Sequence, residues 1–198
     1  MMFDLPAFKL VSNLNAGFIM KSLIPLALSM IMVPGLLVAQ PRQVDNSTVS
    51  RFNLTRYLGT WYEIARFDHS FERGMSNVMA EYLLRDDGKV DVLNSGWKAG
   101  NYKVAEGKAK QPDPVKEPAH LKVSFFLFFY SDYNVLMLDE NYQIALVGSK
   151  GKDYLWILSR TPYVEDAILG PVLEEAERRG YDTSGLIWVD QAMNIATL

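Results

Sequence analysis

The sequence contains no cysteine and has only two histidines, His69 and His120. Without thiols the chain has no disulfide, no thiolate nucleophile and no Cys-ligated metal site. Asp68 and His69 are adjacent, so on a strand end their side chains would point to opposite faces and would not form a catalytic pair. Ser70 follows them without the pattern of a nucleophile elbow. We therefore predict no enzymatic activity, no metal and no cofactor.

The sequence also lacks an excess of basic charge. It has 20 Lys and Arg against 23 Asp and Glu, a net charge of -3, and no run of like charges. Nucleic-acid binding needs a basic patch or stripe, so we expect no nucleic-acid partner. With 198 residues, of which 49% are hydrophobic, the chain has the size and balance of one ordinary globular domain.

The first part of the chain has the pattern of a targeting leader. Residues 22–41 carry no charged side chain, and Lys21 stands directly before them. A basic start, an apolar run and a small residue, here Ala39, are the parts of a secretory signal peptide in their usual order. We predict a leader over residues 1–39 that is cleaved near Ala39. Because the signal pattern begins at Met20, we expect Met20 to be the true start.

An uncleaved membrane anchor is the alternative for this segment, since about twenty apolar residues can span a bilayer. Pro25 and Pro34 interrupt the run and argue against it. Residues 40–50 are polar and aperiodic, which predicts a short tether. The folded domain is then expected over residues 51–198.

From Thr60 onward the sequence predicts an all-β fold. Short segments rich in β-branched and aromatic residues recur about every ten residues between Gly, Pro, Asn or Asp, as in a sandwich or barrel. Leu121, Val123 and Phe125 alternate with polar residues, which is typical of an antiparallel sheet with one buried face. Eight predicted strands, enough to close a barrel, cover residues 60–67, 77–84, 89–97, 102–110, 120–126, 132–138, 142–148 and 153–159.

One segment near the C-terminus has helical rather than strand periodicity. Apolar residues spaced four apart predict one amphipathic helix over about residues 163–179, with Gly180 as its stop. Gly170 and Pro171 are expected to kink or split it. A further short strand is predicted over residues 186–189. The expected fold is therefore an eight-stranded antiparallel up-and-down barrel with one α-helix packed on its outside.

Two motifs carry a resemblance to a known family. Gly59-Thr60-Trp61-Tyr62-Glu63 matches a Gly-x-Trp signature on the first strand, and Leu155-Trp156-Ile157-Leu158-Ser159-Arg160 matches a motif on the last barrel strand. Over about residues 50–190 the chain resembles the lipocalins, in particular the bacterial outer-membrane (Blc) type, itself similar to apolipoprotein D. The resemblance implies that Gly59, Trp61 and Arg160 are structural, with Arg160 packed over the Trp61 ring.

The resemblance also implies a function. Lipocalins of this type bind fatty acids and lysophospholipids and are thought to serve cell-envelope lipid maintenance. Two alternatives stay open: a binder of a pigment or another small hydrophobic molecule, and a protein-partner module with a filled barrel. Many bacterial members carry an acylated cysteine where this chain has Gln40. A periplasmic or secreted protein is therefore expected, with outer-membrane association without a lipidated cysteine as the alternative.

Candidate pocket residues follow from the side of the strand that each occupies. Counting by twos from Trp61, Ala65 and Phe67 face inward if no bulge intervenes. Glu63 has the same parity, so the first strand must contain either a bulge or a buried carboxylate. The remaining candidate lining residues, for which ordinary core packing is an equal alternative, are Val123, Phe125, Val135, Met137, Tyr154 and Trp156.

A run of aromatic and apolar residues, Phe125 to Tyr130, occupies a predicted bend where polar residues are usual. It predicts either a barrel rim that contacts a membrane surface or a homodimer contact. A buried strand end is the third alternative.

Overall fold

The structure is a computed structural model, and it describes residues 43–197. The predicted leader, its start at Met20 and its cleavage near Ala39 lie outside the described residues. Within the described part of the chain, no helix combines the length and the apolar character needed to span a membrane.

Eight antiparallel strands form a closed barrel, which confirms the predicted fold class. Closure occurs because the first strand pairs with the eighth on one side and with the second on the other. A two-residue ninth strand pairs with the C-terminal end of the first strand. The strands are β1 (Gly59–Arg66), β2 (Met75–Leu84), β3 (Val90–Lys98), β4 (Asn101–Lys110), β5 (His120–Phe126), β6 (Phe129–Leu138), β7 (Ile144–Gly148), β8 (Leu155–Ser159) and β9 (Ile187–Trp188).

Turn chemistry sets the strand ends. Gly88, with φ of 76°, lies in the predicted turn between β2 and β3. Between β3 and β4 only Ala99 and Gly100 intervene, and both have positive φ, as a tight hairpin with the twist of its strands requires. β6 begins three residues before its predicted start because Leu127, at φ of 50°, turns the chain immediately after β5.

The helices lie outside the barrel. A short helix, α1 (Leu54–Tyr57), precedes β1, and the predicted amphipathic helix is α2 (Asp166–Arg178). Pro171 does not split α2, because the fully buried Val172 and Ala176 hold it against the sheet. A last short helix, α3 (Ala192–Ile195), follows β9.

Two apolar cores result from the alternation of side chains across the sheet. One lies inside the barrel around Trp61, and the other lies between the sheet and α2. The lower interior is therefore filled, whereas the outer face of β1, β6, β7 and β8 is covered by the helix and Tyr181.

The described part of the predicted tether, residues 43–50, has no regular secondary structure but is held against the barrel. The Arg179 guanidinium at the end of α2 donates to the carbonyls of Asp45 and Ser47 and to that of Leu136 on β6. Val44 is buried in the core under α2. These residues are thus part of the folded domain.

Candidate ligand cavity in the barrel

The closed end of the barrel is built on Trp61. The indole is fully buried, and the Arg160 guanidinium lies over its ring at 3.9 Å from the centroid. The same guanidinium donates to the carbonyls of Thr60, at 2.6 Å, and Leu58, at 2.9 Å. Because these bonds join the end of β8 to the start of β1, Arg160 has a structural role at this end.

Three tyrosine hydroxyls form a polar chain above Trp61. The Tyr133 hydroxyl lies 2.7 Å from that of Tyr57 and 3.0 Å from that of Tyr82. Burial raises the pKa of Tyr82 to about 12 and raises the pKa values of Tyr57 and Tyr133 well above their usual value. The hydroxyls therefore stay protonated at neutral pH. Tyr82 and Tyr133 form the polar floor of the space above them.

Above this floor is a cavity of about 700 Å³ that opens at the other end of the barrel. Barrels of eight strands are either filled by side chains or leave room for one small ligand, and the upper part of this barrel leaves such room. Its volume lies within the usual range for small-molecule pockets, about 300 to 1,000 Å³. The small and branched apolar side chains of its wall include Val78, Ala80, Val92, Ala105, Val123, Val147 and Leu158.

The structure brings only part of the predicted lining set together. Val123, Phe125, Tyr154 and Trp156 line the cavity. The other four candidates lie outside its lining. Val135 belongs to the buried cluster around Trp61, and the core between sheet and helix contains Ala65, Phe67 and Met137.

Two β-bulges explain why three of these candidates point away from the barrel interior. The register of β1 shifts between Glu63 and Ala65, so the inward position after Glu63 is taken by Arg66 rather than Ala65. A second shift, between Val135 and Met137, turns Met137 to the outer face in the same way. The assignment of Ala65, Phe67 and Met137 to the cavity wall is therefore corrected, because an extra residue reverses the face of everything after it.

The bulge in β1 also creates a buried ion pair. Glu63 and Arg66 now face the same side, and the Arg66 Nη1 donates to the Glu63 Oε1 at 2.6 Å. Arg66 also donates to the backbone carbonyls of Glu72, at 2.8 Å, and Met75, at 3.3 Å. The connection between β1 and β2 is thereby fixed to the wall, and the Glu72 side chain lies at the cavity.

The pKa values of Glu63 and Glu72 are shifted in opposite directions. Burial, followed by the charge of Glu72, raises the pKa of Glu63 well above its usual value. Burial also opposes ionisation of Glu72, but the interaction with His69, the Trp156 indole N–H and the charge of Arg66 outweigh it and lower the pKa of Glu72. The pKa values of the two carboxyl groups on the wall are therefore shifted in opposite directions.

Aromatic rings surround the Glu72 carboxylate. The Trp156 Nε1 donates to its Oε2 at 3.2 Å, and the His69 Nε2 lies 3.1 Å from the same oxygen. The His69 ring stacks on Phe71 at 3.9 Å between centroids, and Trp156 stacks on Tyr154 at 5.9 Å. Phe71, Tyr154 and Trp156 line the cavity, whereas His69 lies behind them.

Lysines and exposed aromatic residues form the open end. Lys98 and Lys103, on the two strands of the β3–β4 hairpin, line the mouth. The run Phe125 to Tyr130, between β5 and β6, is exposed rather than buried: Phe126 and Phe129 are each 68% exposed and Phe128 is 77% exposed. This excludes a buried strand end. Phe125 and Phe129 also line the cavity, so the aromatic loop is continuous with its wall.

Sequence reasoning missed Phe71, Glu72, Lys98 and Lys103. Phe71 and Glu72 lie in the connection between β1 and β2, where alternation gives no information about direction, and Lys98 and Lys103 lie close to the turn between β3 and β4. The only signal for Glu72 was indirect, because an inward Glu63 demands a polar partner.

A family comparison assigns the fold. Residues 52–191 match the model of the Lipocalin-like domain, which is most of the chain. The chain is a lipocalin. It therefore belongs to a family of binding proteins rather than of enzymes.

Curated relatives place this lipocalin near bacterial envelope proteins. It is 51% identical over 153 residues to the outer membrane lipoprotein Blc of Escherichia coli K12, covering 76% of this chain and 85% of that protein. It is 52% identical over 146 residues to the Vibrio cholerae protein of the same name, covering 72% of this chain and 85% of that one. Mouse apolipoprotein D is 36% identical over 151 residues, with 71% and 78% covered.

Solved structures agree with the barrel. Insecticyanin from the tobacco hornworm Manduca sexta matches with a TM-score of 0.63 at 23% identity, over 74% of this chain and 84% of that one. Lobster apocrustacyanin A1 matches with a TM-score of 0.60 at 22% identity, over 71% and 80%. At these identities the likeness concerns the fold alone.

Proposed function

We propose that this lipocalin binds the acyl chain of a fatty acid or lysophospholipid inside its barrel, and stores or carries it for lipid maintenance of the cell envelope. One observation carries the proposal: an open cavity of about 700 Å³ whose middle wall is formed by small and branched apolar side chains. Similarity to outer-membrane lipoproteins supports the envelope as its setting.

The wall supplies the binding energy for a chain but little for a compact polar ligand. Each methylene that leaves water contributes about 0.8 kcal/mol, which is roughly a fourfold gain in affinity. Affinity should therefore rise with chain length until the chain end reaches Tyr82 and Tyr133. Their hydroxyls form the polar end of the apolar wall. A chain longer than this limit should gain nothing further.

Lipid extraction from protein purified from its own host tests the proposal directly. Mass spectrometry of a denaturing extract should find fatty acid or lysophospholipid, and adding lysophospholipid to delipidated protein should change the fluorescence of Trp156 in the cavity wall. A pigment as natural ligand would instead appear as visible absorbance. A protein that is empty after purification and shows no fluorescence change with any acyl ligand is not the carrier we propose.

The exposed aromatic loop supports contact with a membrane surface. An apolar rim next to the cavity mouth would let an acyl chain pass between bilayer and barrel with little exposure to water. With no cysteine in the chain, we propose a periplasmic or secreted protein that reaches the outer membrane through this loop rather than through a lipidated residue. A homodimer joined through the same loop is the competing use of this surface.

Replacing Phe128 and Phe129 by Ser separates these uses. Both side chains are exposed, so the substitutions should leave the melting temperature nearly unchanged. We expect weaker association with phospholipid vesicles and an unchanged elution volume. Loss of a dimer with unchanged vesicle binding would show a homodimer contact instead. Ser substitution of Val115, which is 87% exposed, serves as the control.

A further inference from the structure

The upper wall of the cavity has a polar character that an acyl chain alone does not explain. Of the buried charged residues in this region, Glu63 and Glu72 line the cavity, whereas Arg66 and His69 do not. The Arg66 guanidinium and the His69 ring thus lie behind the carboxyl groups. An entering ligand therefore meets the two carboxyl groups rather than the cationic side chain of Arg66.

A third acceptor belongs to a residue that lines the same space. The Asn94 Oδ1 is buried, and it accepts no hydrogen bond from any described residue, although Asn94 lines the cavity. A buried unpaired acceptor costs about 1 to 3 kcal/mol in the absence of a partner. Asn94 thus adds an unsatisfied acceptor beside the cavity wall.

Aromatic side chains add a second preference for positive charge. Phe71, Tyr154 and Trp156 line the cavity around the Glu72 carboxylate. Aromatic faces next to a carboxylate attract ammonium groups, because the ring quadrupole and the anion act on the cation together. A ligand carboxylate at this place would meet repulsion from Glu72.

Positive charge is found close by, at the rim. Lys98 and Lys103 line the mouth, and neither forms an ion pair with a described side chain. Lys98 is the cross-strand neighbour of Met75, whose amide donates to the Glu72 carbonyl at 2.9 Å. A cationic rim and an acidic wall therefore lie side by side at one edge of the opening.

We propose that this edge is a subsite for a zwitterionic head group, with the ligand phosphate on Lys98 and Lys103 and its ammonium against Glu63 and Glu72. This inference rests on the proposed function, since it requires the acyl chain in the barrel. It adds a selection among lysophospholipids: those with an ethanolamine or choline head group are preferred over those whose head group is only anionic, and over free fatty acids.

Calorimetric titration of the delipidated protein tests the preference. The probes are oleoyl lysophosphatidylethanolamine, oleoyl lysophosphatidylglycerol and oleic acid, which share one chain. At neutral pH we expect the ethanolamine lipid to bind about tenfold more tightly than the glycerol lipid, equivalent to about 1.4 kcal/mol. Equal affinity for the two lysophospholipids overturns the subsite but leaves the carrier intact. Failure of all three to bind overturns the proposed function itself.

Matched variants locate the preference. Glu72→Gln should bring the two lysophospholipids to near equality by weakening only the ethanolamine lipid. Glu63→Gln keeps a carbonyl oxygen for Arg66 and should reduce the same ratio, which covers the case that Glu72→Gln does not fold. Glu81→Gln, on the exposed outer side of β2, is the control and should retain the full preference. An unchanged preference in both folded wall variants contradicts the proposal.

Substitution of the two lysines tests the proposed phosphate contact independently. Gln substitution of both Lys98 and Lys103 should weaken the two lysophospholipids to a similar degree and leave oleoyl glycerol, which has no phosphate, unaffected. Equal loss for oleoyl glycerol would show that the lysines act on the shape of the mouth and not on a phosphate.

Discussion

Removal of one hydroxyl, by Tyr133→Phe, should destabilise the barrel more than removal of either neighbouring hydroxyl. Tyr133 occupies the middle of the chain, with Tyr57 at 2.7 Å and Tyr82 at 3.0 Å. Its loss breaks both bonds at once. Among the described residues the Tyr57 hydroxyl has no other hydrogen-bond partner, and Tyr57 is only 1% exposed.

The magnitude follows from these contacts. Each hydrogen bond contributes about 0.5 to 1.5 kcal/mol net, and a buried hydroxyl left without a partner costs about 1 to 3 kcal/mol. Tyr82 lines the cavity, where water can replace its lost partner, so only Tyr57 is stranded. Tyr133→Phe should then lower the free energy of unfolding by about 2 to 4 kcal/mol. Tyr57→Phe removes one bond, leaves Tyr133 paired with Tyr82, and should cost about 1 kcal/mol.

Urea denaturation of the delipidated protein, followed by tryptophan fluorescence, measures these differences. Tyr102→Phe removes a hydroxyl from a half-exposed ring and should change the stability by less than about 0.5 kcal/mol. A cost for Tyr133→Phe no larger than that for Tyr57→Phe would refute the reasoning, because the central hydroxyl would then not connect the other two.

Three further predictions concern the same framework. Trp61→Ala should cost about 3 to 5 kcal/mol in unfolding free energy, since the ring is fully buried, whereas Trp188→Ala, at a half-exposed ring, should cost much less; retained thermal stability of the first would contradict this. Burial raises the pKa of Tyr82 from 10.0 to about 12. The free energy of unfolding should therefore be unaffected by this group below pH 10 and should fall by about 3 kcal/mol between about pH 10 and 12. A constant free energy of unfolding over this range would contradict the prediction. Gly107→Ala would place a Cβ 2.7 Å from the Phe125 ring, so it should cost about 1 to 3 kcal/mol and weaken acyl-chain binding, whereas wild-type lipid affinity would show that Phe125 moves away from the cavity.

Much of the fold follows from local patterns. Alternation and turn residues predicted all eight barrel strands, with ends off by up to three residues, and a four-residue apolar spacing predicted α2. These signals are short-range, so they survive without knowledge of the rest of the chain. The motif of Gly59, Trp61 and Arg160 also predicted the closed end of the barrel. The expected packing of Arg160 over the Trp61 ring is the contact that the structure contains.

The cavity wall was harder to predict. Parity correctly required Glu63 to be accompanied by a bulge or a buried carboxylate, and the structure contains both. It could not place the bulge, so Ala65 and Phe67 were assigned to the wrong face. A bulge depends on how two strands pair, so the sequence of one strand gives little information about its position.

By itself, the sequence determined the number and order of the strands, the outer helix, the absence of thiol chemistry and the aromatic run that forms the rim. Only the tertiary structure decided that the barrel is open and partly empty, and that Arg66 rather than Ala65 turns inward beside Glu63. It alone brought Glu72 to the rim that carries Lys98. The physical reason is that periodicity encodes which residues leave water, whereas the shape and charge of an enclosed space depend on strand register and loop paths, which join residues far apart in the chain.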